Sequence, residues 1–432
     1  MNILKQLQSQ AEQVEVMRIR SESTSVEYEA NQLKTSKVEQ TQGVAVRVVR
    51  KGRLGFAASS DERAADKLMA NALESAAYGE QISIRFPAPQ AAPAVATYDP
   101  KIAEFPVARL VQIGQEILDL LLPVAPDARI NISLNRGVSH LELHNQAGVD
   151  ISFERSPLSF VSEILLVQGD DILDLFDMTG TTLWEEDYLA FARRLADKLE
   201  KAKKLTTVKS GRMPVIFSPA GSLVLGIPLM EGLNGKNAFT GISPLIGKVG
   251  EKLFDEKLVL VDDGTIPGRF GSAPFDDEGV AHRRNVFIEK GVFKGFYYDL
   301  KTAAQSGVES TGNGSRGLFN PPYPAPTNLV FAPGETSLAD MIAGIDEGLL
   351  VEDVLGLGQG NIISGAFSNP LSLAFKIEKG EIVGRVKNAS IAGNVYGVLK
   401  NVAAVSAETY WVYNSFSAPY FLLPDMNVVA KE

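Results

Sequence analysis

Residues 43–58, GVAVRVVRKGRLGFAA, contain the clearest strand–turn–strand pattern of the chain. Val44, Val46 and Val48 alternate with small or charged residues, which is typical of a strand with one buried face. The Lys-Gly pair at 51–52 then predicts a tight turn into a second strand. The stretch therefore indicates an antiparallel hairpin, and it sets the expectation that the chain begins with a sheet.

The segments around this hairpin complete one expected α+β unit. Val26, Tyr28 and Ala30 alternate with polar residues and predict a preceding strand. A helix is expected after the hairpin, capped within Ser59–Asp61 and running through Ala77. An opening amphipathic helix is predicted from apolar residues at helical spacing, which are Ile3, Leu4, Leu7, Ala11 and Val14.

The whole chain is predicted to be α+β, with an N-terminal α/β region of mixed or antiparallel sheets and helices, followed by a β-rich C-terminal domain. Residues 86–105 read as a Pro- and Ala-rich linker. They separate an N-terminal α+β domain (1–85) from a central α+β domain (106–210). Residues 211–432 are expected to form the β-rich domain, because short strands and Gly-containing turns dominate there.

Individual elements follow from the same periodicities. We expect helices at 107–122 and 184–204. The central strands are expected at 130–134, 138–144, 149–153 and 158–167. The C-terminal hairpins are expected to pair strands 285–288 with 292–298 and 373–377 with 381–383.

Composition and charge restrict the classes of function. The chain has 432 residues, a net charge of −10 and no cysteine. An acidic protein lacks the basic face that nucleic-acid binding needs, and the basic stretch at 193–204 reads as a solvated helix end. No apolar stretch has the length of a membrane span or a signal peptide. We expect a cytoplasmic protein without disulfides and without direct contact to nucleic acid or membrane.

Metal chemistry is constrained by three histidines, His140, His144 and His282. No His-Glu-x-x-His helix motif occurs. The nearest imitation is His140-Leu-Glu142-Leu-His144, whose polar side chains share one face of a strand. Strand alternation explains this pattern without a metal.

Two acidic segments could hold a hard cation through oxygen ligands: Asp276-Asp277-Glu278-Gly279 and Asp262-Asp263-Gly264. Asp before Gly is also an ordinary turn signal. The glycine-rich segments 312–315 and 356–360 resemble anion-binding loops only loosely, and tight turns account for them.

The chain resembles the TldD/PmbA family, once called modulators of DNA gyrase, in segments spread over nearly its whole length. The segments that carry the resemblance are 24–34, 43–48, 52–57, 260–263, PFDDEG at 274–279, STGNG at 310–314 and ASIAGN at 389–394. Family members of the TldD type carry a His-Glu-x-x-x-His helix and a later Cys, and they resemble zinc peptidases.

In this chain the first His position of that motif falls on Gly226, the Glu on Ile227 and the second His on Glu231. Pro228 inside the same helix is expected to strain it. The resemblance therefore implies a PmbA/TldE-type member without catalytic residues, metal or cofactor. Such a chain is expected to be a noncatalytic partner of a TldD-type zinc peptidase subunit in the proteolysis of unfolded peptides.

Contacts to peptide or partner are expected at Asp276, Asp277, Glu278, Asn313 and Ser368. The segment Gly365–Pro370 departs from the usual family pattern, in which members often show Gly-Asp-Phe-Ser-Arg-Gly. Two alternatives remain open from sequence alone: a stand-alone homodimeric peptide-binding protein, and an active hydrolase with a carboxylate-bound metal.

Overall fold

A computed structural model describes residues 3–430 of the chain. Two large sheets organise them, one of seven strands in the N-terminal half and one of twelve strands in the C-terminal half. A two-stranded sheet accompanies the larger one. The predicted α+β class, with a β-rich C-terminal region, is confirmed.

The N-terminal sheet is antiparallel, with the order β3-β2-β1-β4-β6-β7 and β5 beside β4. Its strands are β1 (Gln13–Glu29), β2 (Gln32–Arg50), β3 (Arg53–Ser59), β4 (Arg129–Asn145), β5 (Asp150–Arg155), β6 (Leu158–Gln168) and β7 (Asp171–Thr181). The accompanying helices are α1 (Ile3–Leu7), α2 (Ala65–Tyr78), α3 (Pro100–Ala103), α4 (Val107–Leu121) and α5 (Ala190–Ala202).

The two faces of this sheet bury different partners because strand side chains alternate. Val14 and Val16 of β1 pack with α2, and Val26 and Tyr28 pack with α4. Met17, on the opposite face, belongs to a cluster that includes residues from the C-terminal half. The helices therefore cover one face, and the other face lies against the C-terminal half.

The β1–β2 hairpin extends beyond its neighbour β3. Strand β3 pairs with β2 only from Val44 to Arg50. Gln32–Gln42 are exposed and, within residues 3–430, form strand pairs on one side only, with β1. This stretch is an open sheet edge.

The twelve-stranded sheet has the order β12-β11-β10-β15-β21-β9-β16-β17-β18-β8, with β19 and β20 attached. Its strands are β8 (Leu205–Thr206), β9 (Gly211–Phe217), β10 (Leu260–Asp263), β11 (Arg284–Glu289), β12 (Val292–Phe293), β15 (Leu329–Phe331), β16 (Glu347–Val354), β17 (Ala366–Glu378), β18 (Glu381–Val386), β19 (Ala389–Asn394), β20 (Ala404–Val412) and β21 (Phe416–Ala430). Strands β13 (Gly314–Ser315) and β14 (Tyr323–Pro324) form the small sheet.

Short helices decorate this sheet: α6 (Leu223–Leu233), α7 (Gly235–Phe239), α8 (Leu300–Ser306), α9 (Leu338–Ala343) and α10 (Val395–Val398), with 3₁₀ turns at Glu62–Ala64 and Ile362–Ser364. Val215 and Phe217 of β9 share a core with α6, whereas Ile216 between them shares a core with α5. The central strands are thus buried on both faces. No helix among residues 3–430 is long and apolar enough to cross a membrane.

Several predicted elements need correction. The opening helix ends at Leu7, and Val14 lies in β1, because its valines alternate with Glu15 on a buried strand. The two strands expected at 130–134 and 138–144 are one strand, β4, since Gly137 continues its pairing with β1.

Strand β7 was not predicted, and the helix expected at 184–204 is only α5, Ala190–Ala202. The strand expected from Val292 to Tyr298 ends at Phe293. In contrast, the helix expected at 107–122 matches α4, which buries Leu110, Ile113, Ile117 and Leu121 at helical spacing.

The segment expected as a linker is extended up to α3 and is held against the N-terminal sheet. The side chain of Gln13 binds the main chain of Ile84 and Phe86, and Asn145 donates to the carbonyl of Pro87. Strands from residues 1–85 and 106–210 share one sheet. The division into separate N-terminal and central domains stays a prediction.

Candidate functional site

Helix α6 follows the buried strand β9 and holds the three positions that the sequence singled out. Ser218 anchors the turn: its N–H donates to the carbonyl of Val351, and its hydroxyl accepts from the N–H of Gly221. Pro228 leaves the carbonyl of Val224 without its helical donor. The helix nevertheless continues to Leu233, so Pro228 does not break it.

Gly226 lies where a side chain has no room. A Cβ atom at this position would lie 2.9 Å from Cε2 and Cζ of Phe416. That ring is buried in the C-terminal core. The ring of Phe416, from β21, therefore fills the position to which the family resemblance assigns the first His.

The other two positions offer little for metal chemistry. Ile227 is apolar and half-buried. Glu231 accepts a hydrogen bond of 2.9 Å from Nδ2 of Asn237. A zinc site of the TldD type needs several nitrogen, sulfur or oxygen donors that converge, and α6 provides one carboxylate. The residues present do not fit that ion.

A cleft of about 230 Å³ lies beside α6. We call it the α6 cleft; it is lined by Leu223, Val224, Ile227 and Pro228 of the helix and by residues from 355–370. Ser368, predicted as a contact residue, is exposed and lines this cleft. Gly356, Gly358 and Gly360 all have positive φ, which supports the turn interpretation of their loop.

Among residues 3–430, β17 has an open main-chain edge where it lines the α6 cleft. Residues 366–370 pair with β19 on one side. On the other side, the carbonyl of Pro370 accepts from the N–H of Leu355 at 2.8 Å. Main-chain groups alternate along a strand, so the N–H and C=O of Ser368 face the same side as that carbonyl. They lie beyond the end of β16, where an extended chain could bind them.

The predicted acidic segment lies elsewhere, at the contact between the N-terminal sheet and the C-terminal half. Glu278 is fully buried and binds Arg47 of β2 through Oε1. Its Oε2 accepts from the N–H of Leu300 at 2.7 Å. Arg47 also binds both carboxylate oxygens of Glu15, at 2.9 and 2.7 Å, and Arg316 binds Glu15 at 2.7 Å. We call Glu15, Arg47, Glu278 and Arg316 the buried charge cluster.

Asp276 and Asp277 hold main-chain groups next to this cluster. Asp276 accepts from the N–H groups of Glu278, Val280 and Gly314, at 3.0, 2.8 and 2.9 Å. Asp277 accepts from the N–H of Arg316 at 2.9 Å. Both oxygens of Asp276 are therefore engaged by N–H donors, as in a turn.

The remaining predicted contact residue, Asn313, joins a second acidic segment to the first. It donates to Asp262 at 2.7 Å and to the carbonyl of Ala325 at 3.0 Å. Asp262 also accepts from the N–H of Thr327 at 2.7 Å. Segments 262–263, 276–279 and 310–314 therefore meet in space, although neither spacing nor pattern indicated it.

Burial sets the ionisation of these carboxyl groups. It raises the pKa of Asp277 and Glu278 and raises that of Asp276 well above its usual range, with the charge of Glu278 adding to the effect at Asp276. Burial raises the pKa of Asp262 to about 6. Burial also opposes ionisation of Glu15, but the charges of Arg316 and Arg47 outweigh it and lower the pKa of Glu15.

The histidines are separated from α6. His140 and His144 lie on β4 with Glu142 between them, at 3.8 and 3.9 Å from its carboxylate oxygens. The three share one strand face, as predicted. His282 is buried, with Nδ1 2.8 Å from the carbonyl oxygen of Ala273. Burial lowers the pKa of His282 to about 4.

The basic stretch at the end of α5 is paired with acids in the same region. Arg193 binds Asp187, Lys201 binds Asp197 at 2.6 Å, and Lys203 binds Glu200. These pairs fit a solvated helix end, but Arg194 and Lys198 do not, because they are half-buried and bind Asp177 and Glu352.

Two segments of the chain match domains of a known family, and individual relatives match it over longer stretches. The PmbA/TldA metallopeptidase C-terminal domain matches residues 210–430, and domain 1 of the same group matches residues 14–76. An uncharacterised protein of Methanocaldococcus jannaschii is 28% identical over 398 residues, with 90% of each chain covered. A metalloprotease TldD homologue of Haemophilus influenzae is 35% identical over 199 residues, which cover 46% of this chain and 41% of that protein.

Solved structures resemble the chain over almost its full length. TldE from Thermococcus kodakarensis superimposes with a TM-score of 0.92 at 26% identity, covering 99% of both chains. A protein of Thermotoga maritima does so with a TM-score of 0.88 at 23% identity, again over 99% of both chains. The second likeness supports the fold alone.

Proposed function

The chain belongs to the TldD/PmbA metallopeptidase family, and from that premise we propose that it is a noncatalytic partner subunit of a two-chain peptidase. Its partner would be a TldD-type chain that carries the zinc motif. This chain would contribute peptide binding, and the substrates would be unfolded peptide segments. We place the complex in the cytoplasm.

The observation that carries the proposal is the packing of α6. The family resemblance assigns the first zinc-ligand position to Gly226, where the ring of Phe416 leaves no room for a ligand side chain. Phe416 and the buried apolar residues of α6 belong to one hydrophobic core, so this part of the helix serves packing.

Peptide binding is supported by the α6 cleft. An extended peptide can add a strand to an open sheet edge through main-chain hydrogen bonds, which require no particular sequence. The N–H and C=O of Ser368 provide such groups, and the apolar wall of α6 lies opposite. We propose that Ser368 contacts the peptide.

We propose no direct peptide contact for the other predicted contact residues, which are Asp276, Asp277, Glu278 and Asn313. Glu278 has no exposed surface, and Asp276 and Asn313 are almost fully buried. We propose that they support the partner interface indirectly, by holding the loops at 276–280 and 313–316 to the N-terminal sheet.

The test combines association, metal content and activity. The full chain is mixed with a TldD-type chain of the same organism and analysed by light scattering after size exclusion, alone and together. Zinc is measured by mass spectrometry, and hydrolysis is measured on an unfolded peptide. We expect a stable heteromeric complex, zinc at one ion per TldD-type chain, and hydrolysis by the complex only.

Two outcomes would contradict the proposal. Stoichiometric zinc together with hydrolysis in the isolated chain would make it an enzyme by itself. Persistent self-association with no binding to the TldD-type chain would favour a stand-alone homodimer. A TldD-type chain with its motif Glu replaced by Gln is the control that attributes hydrolysis to the partner.

A further inference from the structure

A second cavity, of about 210 Å³, lies where β6, β7 and α5 meet β20. Aromatic side chains form most of its wall, and we call it the aromatic slot; they are Phe160, Trp184, Tyr188, Phe191, Tyr410 and Trp411. They include both tryptophans of the chain. The slot shares no lining residue with the α6 cleft or the buried charge cluster.

Two arginines also line the slot and lie over its rings. The guanidinium carbon of Arg194 is 5.0 Å from the ring centre of Tyr410, and that of Arg269 is 4.9 Å from the ring centre of Trp411. Their side chains are 31% and 21% exposed. Both are therefore held in place by aromatic contacts while they remain accessible from solvent.

The arginines have unused hydrogen-bonding capacity. Arg269 donates to Glu185 at 2.9 Å, and Arg194 donates to Asp177 at 3.3 Å, in each case through Nη2. Within residues 3–430, Nε of Arg194 is buried and has no hydrogen-bond partner. A guanidinium carries five N–H donors and suits bidentate binding of a carboxylate.

The acidic residues of the slot are already paired. Glu185 binds Arg269, and Asp187 binds Arg193. A cationic ligand would have to displace Arg193 from Asp187 or Arg269 from Glu185, and Arg269 also lies over the ring of Trp411. An anionic ligand displaces neither arginine, because it can bind N–H groups of Arg269 other than the Nη2 group that binds Glu185.

We propose that the aromatic slot binds a planar aromatic ring that carries a carboxylate, such as the aromatic C-terminal residue of a peptide. The ring would pack among the aromatic walls, and the carboxylate would bind Arg269. The volume lies below the roughly 300 Å³ at which drug-sized ligand sites begin, which suits a single ring. The peptide as the source of this group rests on the proposed function; binding of the free aromatic acid does not.

Tryptophan fluorescence tests this proposal directly, because both reporters line the slot. The isolated full chain is titrated with N-acetyl-L-phenylalanine, with its amide, with N-acetyl-L-leucine and with AMP, under excitation selective for tryptophan. We expect a saturable change with N-acetyl-L-phenylalanine. The amide and the leucine compound should bind about tenfold more weakly, since each lacks one recognised group.

Three variants distinguish a loss of ligand binding from a loss of the tryptophan fluorescence signal. Arg269→Gln should weaken the acid about tenfold and bring it to the level of the amide. Trp411→Phe keeps the ring and leaves Trp184 as the reporter, so binding should persist. Arg212→Gln removes an exposed arginine that pairs with Asp425 far along the chain, and it is the matched control that should change nothing.

The proposal is overturned if no saturable change occurs at millimolar concentrations, if acid and amide bind equally, or if AMP binds more tightly than the aromatic acid. If one of these results is obtained while the chain still forms a complex with the TldD-type chain, only the proposed ligand of the aromatic slot is refuted. If the chain binds the aromatic acid but forms no complex with the TldD-type chain, only the proposed function is refuted.

Discussion

The α6 cleft and the buried charge cluster differ in their polar residues: few lie along α6, whereas the cluster consists of charged side chains. Along α6, the positions of the family's zinc motif hold Gly226, Ile227 and one hydrogen-bonded carboxylate, and packing dominates. In the buried charge cluster, two arginines and two glutamates are almost completely removed from solvent and bind one another. A buried set of ionisable groups therefore joins the two halves of the molecule, whereas Gly226 and Ile227 of α6 lie in apolar packing.

The comparison shows that buried charge alone does not identify an active site. Perturbed pKa values occur in structural ion networks as well as in catalytic sites. Here each carboxylate oxygen of Glu278 already accepts a hydrogen bond, which is the arrangement expected of a structural network.

The largest expected effect comes from removing Arg47. Arg47→Met leaves Glu15 and Glu278 buried with fewer partners, so we expect the free energy of unfolding to fall by about 3–5 kcal/mol. Urea unfolding followed by circular dichroism measures it. Arg20→Met, on the neighbouring strand with its side chain 63% exposed, is the control and should cost under about 1 kcal/mol. Equal losses in both variants would refute a structural role for the cluster.

Adding a His at the family's first ligand position should also destabilise the chain. Gly226→His forces the buried ring of Phe416 to move, at a cost of about 1–3 kcal/mol. Gly397→His in α10 meets open space and should change stability by no more than about 0.5 kcal/mol. A stable Gly226→His variant that binds zinc would show that the position is still an open ligand site.

The pH dependence of stability should report His282. Its pKa is lowered to about 4 by burial, with Arg155 lowering it further and Asp263 opposing. The unfolded chain therefore binds the proton first, and the contribution of neutral His282 is complete above about pH 6.5 and declines toward pH 4. Between pH 7 and 5 the loss is roughly 2 kcal/mol, and His282→Gln should abolish it.

The ionisation of Asp262 changes the free energy of unfolding in the opposite direction over part of the same pH range. Its pKa is raised to about 6 by burial, so its contribution is complete below its unfolded pKa and is lost as the pH rises through 6. The difference between wild type and His282→Gln, measured at each pH, isolates the histidine. His140→Gln on β4 is the matched control, and parallel curves for wild type and His282→Gln would contradict the prediction.

The smallest expected effect concerns the open edge in the α6 cleft. Ser368→Pro removes one N–H that we propose binds peptide, and proline is tolerated at a strand edge. Hydrolysis by the complex should fall about three- to tenfold, the cost of one hydrogen bond, with little change in stability. Ser368→Ala keeps the N–H and should retain hydrolysis. Equal hydrolysis by the proline variant would exclude a main-chain contact there.

Local patterns predicted much of the fold. The helix α4 and the hairpin at 43–58 follow from apolar spacing and from the turn at Lys51-Gly52. Strand β7 was not predicted, although Leu173 and Leu175 are buried at alternating positions; Asp171, Asp174 and Asp177 interrupt the apolar pattern of this strand.

The contacts within the candidate site could not be predicted from the sequence. The acidic segment at 276–279 was noticed, but its partners are remote: Arg47 lies 231 residues from Glu278, and Arg316 lies 301 residues from Glu15. No local periodicity links such residues. Likewise, nothing in the sequence indicated that Phe416 packs against Gly226, since that contact depends on how β21 is placed beside β9.

The open edge of the β1–β2 hairpin has a consequence for the behaviour of the chain at high concentration. Eleven exposed residues, Gln32–Gln42, offer unpaired main-chain groups together with Leu33 and Val38, which are 51% and 55% exposed. An uncovered edge of this kind templates aggregation unless charge opposes it. Lys34, Lys37 and Glu39 lie on this stretch, so resistance to edge-to-edge association depends on a few charged side chains that contribute nothing to the hydrophobic core.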